Sequence, residues 1–374
     1  MKKISISKPY ITKEDINVVM AVLKSGQLSL GPKHLEFEKL FAKTIGTKYA
    51  IAVNSGTAGL HLAMLAAGIG PGDEVITSPF SFVASANCIL YVGAKPVFAD
   101  VDFQTGNIDP KKIEDRITKK TKAILVVHIF GQSADMNPIL KIAKKHKLKI
   151  IEDACESVMA EYKGKKVGTF GRSAVFAFYP NKQMTTGEGG MITTNSERVY
   201  KMCKSLANQG RGDNMQWLDH QYLGYNYRLD EMSAALGLTQ LKKLDLMISQ
   251  RRQVAGWYGE FLKKHSDIIV TPKIALGNTH TWFVYVVRFV NNRINRDKVI
   301  KILVKKGISS KSYLPSIHLF KFYRKKFGFK LGDYPVSEEI SKVSLALPIY
   351  VGLKKEEIKY ICDKLVNILK NYAK

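Results

Sequence analysis

The sequence has 374 residues and a mass of 41.9 kDa. Its 58 Lys and Arg outnumber its 32 Asp and Glu, which gives a formal net charge of +26 at pH 7. Hydrophobic residues make up 45% of the chain, and no apolar run reaches the roughly 18 residues of a membrane span, so the composition excludes a disordered chain and predicts no membrane insertion.

The N-terminal sequence and the cysteines predict the cellular location of the protein. Met1-Lys2-Lys3 is not followed by an apolar stretch long enough for a signal peptide. The four cysteines, at 88, 155, 203 and 362, lack CxxC spacing and have no His cluster beside them. This pattern predicts a cytoplasmic protein with no disulfide framework and no metal site.

The first two hundred residues alternate short apolar runs with helical stretches. The predicted helices are 55–67, 82–91 and 135–147. The predicted strands are 49–53, 74–77, 96–100, 123–127, 149–153, 174–178 and 191–194. Because these strands are apolar along their length, the alternation predicts a mainly parallel sheet that helices cover on both faces.

Beyond residue 196 the sequence is mostly helical. A long or broken helix, a strand and two further helices are predicted at 230–263, 282–290, 296–306 and 354–371. The predicted fold class is therefore α/β, with a large domain and a smaller C-terminal α/β domain. We expect the large domain, with its N-terminal arm, to span 1–250 and the small domain 251–374.

The positive charge is distributed unevenly along the chain. Segment 291–330 contains twelve Lys or Arg and one acid, whereas segment 51–110 contains one Lys and five acids. A basic surface suits nucleic acid, but lysine-rich helix faces in water give the same pattern. No RNA-binding, helix-turn-helix or zinc-finger signature accompanies the charge. We therefore predict no nucleic-acid partner, and keep a basic nucleic-acid-binding regulator on an enzyme fold as a remote alternative.

Two short motifs lie where predicted strands end. Ser55-Gly56-Thr57 joins a strand to a helix, so its backbone N–H groups suit a phosphate, although an ordinary helix N-cap uses the same residues. Asp153 ends the strand 149–153, at the edge where parallel sheets bind ligands. Its carboxylate either bonds a protonated ring nitrogen or caps a helix.

Lys182 and Phe82 are two further candidates. Lys182 follows a buried strand, in a loop otherwise free of Lys and Arg, and three glycines follow it within eight residues. A lysine there either forms an imine with an aldehyde or is a surface lysine in a hairpin. Phe82 opens a predicted helix and either covers one face of a planar cofactor or packs in the core. Together these motifs supply the parts of a pyridoxal phosphate (PLP) site.

The sequence resembles the DegT/DnrJ/EryC1/StrS family of sugar aminotransferases over about residues 30–350. The matching motifs occur in the family's order along the chain. They include Leu30-Gly31-Pro32, Ser81-Phe82-Val83-Ala84, Glu152-Asp153-Ala154, Tyr179-Pro180-Asn181-Lys182, Thr186-Gly187-Glu188-Gly189-Gly190, Gly224-Tyr225-Asn226-Tyr227-Arg228 and Pro315-Ser316-Ile317-His318.

The resemblance implies a fold type I aminotransferase that is a homodimer with shared active sites. Lys182 resembles the catalytic lysine that binds PLP covalently, and Asp153 resembles the partner of the PLP ring nitrogen. Phe82 resembles the residue that stacks on the ring. Gly56 and Thr57 resemble the residues that bind the cofactor phosphate.

Other positions carry further implications of the resemblance. Asn226 resembles the residue that reaches the phosphate from the other subunit, and Glu156 one that lies near the ring hydroxyl. Ala177 is a departure, because relatives usually have a phosphate-binding Ser five residues before the lysine. Its loss predicts somewhat weaker cofactor binding. The candidate substrate contacts are Arg228, Tyr313 and His318.

The activity implied by the resemblance is transamination of a nucleotide-linked keto-sugar with L-glutamate as the amino donor. Glu156 and the glycine-rich motif after Lys182 resemble perosamine-synthase-like enzymes, which indicates a 4-keto-6-deoxyhexose and synthesis of cell-surface polysaccharide or lipopolysaccharide. A cyclitol aminotransferase of the scyllo-inosose type, from antibiotic biosynthesis, is the alternative. We also expect part of segment 291–330 to line the entrance for the substrate's diphosphate.

Overall fold

The computed structural model describes residues 3–212 and 219–373. Within them the strands are β1 (Tyr49–Val53), β2 (Glu74–Thr77), β3 (Lys95–Phe98), β4 (Thr121–Val127), β5 (Lys149–Asp153), β6 (Glu161–Tyr162), β7 (Lys165–Lys166), β8 (Ser173–Ala177), β9 (Gly190–Thr194), β10 (Ile269–Val270), β11 (Tyr285–Phe289), β12 (Lys311–Ser312) and β13 (Ser344–Leu347). The α-helices are α1 (Lys13–Ser25), α2 (Pro32–Ile45), α3 (Gly56–Ala66), α4 (Ala84–Tyr91), α5 (Met136–Lys145), α6 (Glu197–Ala207), α7 (Glu231–Lys242), α8 (Leu244–Leu262), α9 (Arg296–Lys305), α10 (Lys321–Phe327), α11 (Pro335–Val343) and α12 (Lys355–Ala373).

A seven-stranded sheet with the order β1-β9-β8-β5-β4-β2-β3 forms the centre of the larger part of the fold. β9 is antiparallel to its neighbours β1 and β8, and the other neighbouring pairs are parallel. The predicted mainly parallel sheet is confirmed. Because β1, β5 and β8 run in the same direction, they all end at one edge of the sheet, where ligands of such sheets bind.

Helices cover both faces of this sheet. Along β1, Ile51 and Val53 pack against residues of α3 on one face. Ala50 and Ala52 pack on the other face, in a cluster that contains Phe37 of α2. Successive residues of a strand point to opposite faces, so a strand buried on both faces is apolar throughout. This packing fixes the edge from which α3 and the Lys182 loop emerge.

A second, antiparallel sheet with the order β10-β11-β13-β12 forms the smaller C-terminal α/β part. Its core joins residues of α8, α9 and α12, among them Tyr258, Leu303 and Leu365. Helix α8 packs on both parts, because Met247 belongs to the core of the large sheet and Tyr258 to that of the small one. The predicted division at residue 250 falls inside this helix and stays a prediction.

Most predicted elements are present, and the differences lie mainly at their ends. The helix predicted over 82–91 begins at Ala84, and the strand predicted over 282–290 is β11, which begins at Tyr285. Trp282 has a φ of 53°, a left-handed conformation that interrupts an extended strand. The helix predicted over 230–263 breaks at Lys243 into α7 and α8. Helices α1 and α2 were not predicted from the sequence.

The cysteines and the helices add two observations. All four cysteines are free thiols, and three of them are buried. In the described ranges no helix has the length and apolarity that a membrane crossing requires.

Candidate active site

A cavity of about 390 Å³ opens at the sheet edge where β1, β5 and β8 end. Seven of the candidate residues line it, brought together from five separate segments of the chain. They are Gly56, Thr57, Phe82, Asp153, Glu156, Lys182 and Tyr313. The fold therefore places most of the candidates in one compartment.

The N-terminus of α3 forms one wall of the cavity. Ser55 caps this helix, because its Oγ accepts a hydrogen bond of 3.1 Å from the Ala58 N–H. In the described part of the chain, the N–H groups of Gly56 and Thr57 have no protein acceptor. The capping and phosphate-binding interpretations of this motif are therefore compatible. Ser55 caps the helix, and the N–H groups of Gly56 and Thr57 at its positive end stay free for an anion.

Gly56 also permits a close approach of two elements. A Cβ added at Gly56 would lie 2.7 Å from the Ala177 Cβ and 3.0 Å from the Cys155 Sγ. No real Cβ tolerates the shorter distance, so any larger residue would force α3 away from β8. The small pair formed by Gly56 and Ala177 therefore shapes the floor of the cavity.

Asp153 lies at the end of β5 with its carboxylate fixed by hydrogen bonds. Ser85 Oγ donates to Asp153 Oδ2 over 2.7 Å, and Ser81 Oγ lies 2.7 Å from Ser85 Oγ. The Cys155 N–H donates to Asp153 Oδ1 over 3.2 Å. Asp153 is buried but lines the cavity, so its carboxylate is held ready for a cationic or donor group of a ligand.

Lys182 reaches into the cavity instead of the solvent. Its side chain is only 13% exposed, which argues against a surface lysine. Nζ lies 3.9 Å from Glu156 Oε1 and 4.1 Å from the centroid of the Phe283 ring. The amine thus has a carboxyl group and an aromatic ring as close neighbours.

Glu156 is the carboxyl group nearest to this amine. Burial raises the pKa of Glu156, while Lys182 and the Phe130 N–H, which donates to Oε2 over 2.9 Å, act in the opposite direction. Tyr313 contacts Phe130 and Phe283, and burial raises the pKa of its phenol. Glu156 and Tyr313 are therefore two titratable groups of the cavity wall whose pKa burial raises.

Phe82 lies at the rim of the cavity. Its side chain is 60% exposed, so the core-packing interpretation of this residue is wrong. An exposed aromatic ring at the rim can cover the face of a planar ligand.

Three candidates lie outside the cavity of their own chain. Asn226 is exposed, and its carbonyl oxygen lies 3.4 Å from Asn54 Nδ2. Arg228 Nη1 donates to Asn208 Oδ1 over 2.8 Å. His318 is fully buried, with Nε2 2.9 Å from Glu338 Oε1. In this chain none of the three is among the residues that line the cavity.

The residues present fit PLP. The free N–H groups at the start of α3 suit its phosphate, and the fixed carboxylate of Asp153 suits its ring nitrogen. The amine of Lys182 suits its aldehyde. Among the described residues, the cavity wall contains three carboxyl groups and a single amine, so the α3 N-terminus is its main anion-binding feature.

Two further residues beside the site escaped the sequence predictions. Ser85 orients Asp153, and Glu152 accepts hydrogen bonds from the backbone N–H groups of Gly168, Phe170 and Gly171. Neither residue carries a distinct sequence signal, because its hydrogen-bond partners are distant in the chain. Ser85 is one serine of a predicted helix, and Glu152 is simply the carboxylate next to Asp153.

Comparison with known proteins agrees with this geometry. The sequence matches the profile of the DegT/DnrJ/EryC1/StrS aminotransferase family over residues 9–366. It is 39% identical over 371 residues to GDP-perosamine synthase of Caulobacter vibrioides, covering 99% of each chain. It is 39% identical to the spore coat polysaccharide biosynthesis protein SpsC of Bacillus subtilis, covering 97% of this chain and 96% of that one.

The fold agrees with solved structures as well. Helicobacter pylori PseC, an aminotransferase involved in the biosynthesis of pseudoaminic acid, superposes with a TM-score of 0.93 at 30% identity. The match covers 99% of this chain and all of PseC. The predicted aminotransferase fold is confirmed.

Proposed function

Because the chain belongs to the DegT/DnrJ/EryC1/StrS aminotransferase family, we propose that it transfers the amino group of L-glutamate to a nucleotide-linked keto-deoxysugar. The protein is a PLP-dependent transaminase. We favour a 4-keto-6-deoxyhexose and a role in surface-glycan synthesis, supported by the similarity to GDP-perosamine synthase and to SpsC. A cytoplasmic location is also proposed, supported by the free cysteines.

One observation carries this proposal: Lys182, Asp153 and the N-terminus of α3 meet in a single cavity. Bound PLP supplies the carbonyl that accepts the amino group and the ring that takes up negative charge. In our proposal Lys182 Nζ holds the cofactor at rest and, once released, moves a proton at the reacting carbon. Asp153 keeps a proton on the ring nitrogen, and Phe82 covers one face of the ring.

The remaining residues around the cavity bind the cofactor phosphate and the sugar, or act on the Lys182 amine. Gly56 and Thr57 bind the phosphate through their free N–H groups. Glu156, 3.9 Å from Lys182 Nζ, accepts or returns a proton at that amine. Tyr313 lines the cavity beside it and contacts the sugar. The ring of Phe283, with its centroid 4.1 Å from the amine, shields part of it from water.

We further propose that the enzyme is a homodimer with shared active sites. A PLP phosphate, glutamate and a sugar diphosphate are all anionic, yet Lys182 is the single amine among the described residues that line the cavity. Asn226 is exposed and lies outside its own cavity, which leaves its amide free to reach that of a second copy. A partner subunit would supply the missing anion-binding groups.

The basic segment 291–330 is proposed to guide the substrate's diphosphate. Tyr313 lines the cavity, and the exposed Lys311 lies two residues before it, while Lys321 is exposed at the start of α10. Exchanging Lys311 and Lys321 together for Gln should raise the KM for the sugar nucleotide at low salt and leave the KM for glutamate unchanged. An unchanged sugar-nucleotide KM would remove this role.

The proposed activity is tested first at Lys182. Lys182→Ala should lose the visible absorbance of the lysine-bound cofactor and all amination of GDP-4-keto-6-deoxymannose, whereas Lys141→Ala, at an exposed lysine of α5, should retain both. Product NMR should show an amine at C4 when the wild-type enzyme is given glutamate. Full turnover by Lys182→Ala contradicts the proposed role of Lys182. Amination of scyllo-inosose with no reaction of any keto-sugar nucleotide supports the cyclitol alternative instead.

A further inference from the structure

A buried arginine contacts the backbone of Lys182, the lysine proposed to bind the cofactor. Arg251, on α8, is 2% exposed. Its Nη2 donates to the Lys182 carbonyl oxygen over 3.2 Å. Its Nη1 lies within hydrogen-bonding distance of the carbonyl oxygens of Trp282, at 3.2 Å, Phe283, at 3.3 Å, and Ile349, at 3.5 Å. One guanidinium therefore contacts three chain segments that are far apart in sequence.

The charge of Arg251 is compensated by backbone carbonyls alone. No carboxylate of the described ranges forms an ion pair with it, and Nε has no acceptor there. Burial lowers the pKa of Arg251 to about 10, so the guanidinium still carries its charge at neutral pH. Burying an unpaired charge is unfavourable, and a residue that served only to fill space at this position would be apolar.

Two of the four carbonyls belong to Lys182, which lines the cavity, and to the buried Phe283, whose ring contacts the lysine amine. Lys182 Nζ lies over the ring of Phe283, 4.1 Å from its centroid. We propose that Arg251 is a positioning residue: by binding both carbonyls, it holds the backbones of Lys182 and Phe283 in a fixed relation and so aims the amine into the cavity.

The hydrogen bonds of Gln183, the residue after Lys182, do not replace those of Arg251. Gln183 Nε2 donates to the Glu156 carbonyl oxygen over 2.6 Å and to Thr281 Oγ1 over 2.9 Å. These bonds hold residue 183 against residues 156 and 281. Among the residues that the structure describes, Arg251 is the one whose side chain donates to the carbonyl oxygens of both Lys182 and Phe283. Its loss should therefore leave the loop in place but free the lysine to rotate.

The test compares Arg251→Met, which keeps an unbranched chain without charge or donors, with Arg251→Lys, which keeps the charge on a single nitrogen. We expect the visible circular dichroism of the lysine-bound cofactor, divided by the absorbance of the same band, to be weaker in Arg251→Met, because this ratio reports orientation and not the amount bound. The rate of the half-reaction with glutamate should fall roughly tenfold or more, and the glutamate concentration for half-maximal rate should change less than about threefold. Arg251→Lys should give intermediate values.

Arg252 provides the matched control. It is the next residue of α8 and is exposed, and its side chain forms no hydrogen bond or ion pair within the described ranges. Arg252→Met should match the wild type in every measurement. If Arg251→Met has the wild-type dichroism and half-reaction rate and only unfolds at a lower temperature, Arg251 merely stabilises the fold and the proposal is overturned. If Arg251→Met does not fold, wild-type values in Arg251→Lys overturn it.

A double variant tests whether Arg251 acts through the lysine–phenylalanine contact. Phe283→Leu removes the ring beneath the amine. If the two residues act as one unit, the variant with both exchanges should be no slower than the slower single variant, within about threefold. If the rate reductions of the two single variants multiply in the double variant, the two residues act independently and the shared action is overturned. The inference rests on the proposed function only for the role of Lys182, and no measurement uses a sugar, so failure of the sugar assignment leaves the test intact.

Discussion

At the scale of single residues, the contact between Gly56 and Ala177 decides how the floor of the cavity can bind a phosphate. Both residues line the cavity, and their closeness leaves backbone N–H groups as the donors of that floor. The resemblance noted in the sequence leads us to expect a phosphate-binding serine at the position of Ala177. Ser173, four residues earlier at the start of β8, lies outside the cavity lining and cannot replace that hydroxyl.

We predict that Ala177→Ser binds PLP more tightly. A hydroxyl at this position would donate a hydrogen bond to a charged phosphate, which is worth about 1.5–3 kcal/mol, or roughly tenfold or more in affinity. Titration of the apo-protein with PLP, followed by absorbance, measures this change. Ser173→Ala should leave the affinity unchanged. A weaker affinity in Ala177→Ser would show that the phosphate does not approach this strand end.

Residue type and position together made the central site predictable. Asp153 is a charged residue at the end of an apolar strand, and Lys182 lies in the loop that follows another. Their burial needs a ligand or a partner to explain it. Ser85 and Arg251 were not predictable in this way. Arg251 binds carbonyl groups up to 98 residues away, and every residue has a carbonyl group, so no side-chain pattern marks its partners.

At the scale of secondary-structure elements, one carboxylate joins the N-terminal helix to the rest of the fold. Asp15 of α1 is 1% exposed and accepts hydrogen bonds from Thr239 Oγ1, over 2.6 Å, and Lys243 Nζ, over 2.5 Å. Lys243 is also the residue at which α7 ends and α8 begins. The sequence around this break contains no Gly or Pro. A contact with a residue 228 positions away coincides with the break, which explains why local patterns predicted a long or broken helix without placing the break.

The same carboxylate should make stability depend on acid pH. Burial alone would raise the pKa of Asp15, but hydrogen bonds from Lys243, Thr239 and Thr12 lower it to about 2, below the ordinary value of 3.8. Asp15 therefore stabilises the folded state fully above about pH 4, and this contribution is lost as the pH falls towards 2. At neutral pH, Asp15→Asn should lower the free energy of unfolding by at most about 2 kcal/mol.

Urea unfolding of the apo-protein at several pH values measures this effect. The difference between wild type and Asp15→Asn should be largest at neutral pH and should shrink between pH 4 and pH 2, because protonated Asp15 resembles Asn. Asp115→Asn, at an exposed carboxyl group, is the control and should show no such dependence. A difference that stays constant down to pH 2 would mean that Asp15 is not held ionised by Lys243.

At the scale of the whole molecule, the net charge of +26 contrasts with the cavity. Asp153, Glu156 and Glu188 line it together with one amine, that of Lys182. Segment 291–330 carries much of the excess positive charge, and overall charge therefore predicts solubility and long-range attraction better than it predicts the site. A single chain also leaves Asn226 on the surface, as expected of a residue that completes the site of a neighbour.

Mixed dimers test this sharing directly. We predict that Lys182→Ala and Asn226→Asp are each inactive in the half-reaction with glutamate, the second because its carboxylate repels the cofactor phosphate. After subunit exchange between equal amounts of both, half of the dimers should be mixed, and each mixed dimer should contain one intact site. The recovered rate should be about one quarter of the wild-type rate.

The control pair is Lys182→Ala with Asp153→Ala, two residues that line the cavity of the same chain. No mixed dimer of this pair restores a site, because each subunit retains its own broken cavity. Recovery with Asn226→Asp and none with Asp153→Ala is the expected pattern, measured by the loss of absorbance of the lysine-bound cofactor on adding glutamate. Equal recovery in both pairs, or none in either, would contradict a site built from two subunits, because only residues supplied in trans can be restored by exchanging whole chains.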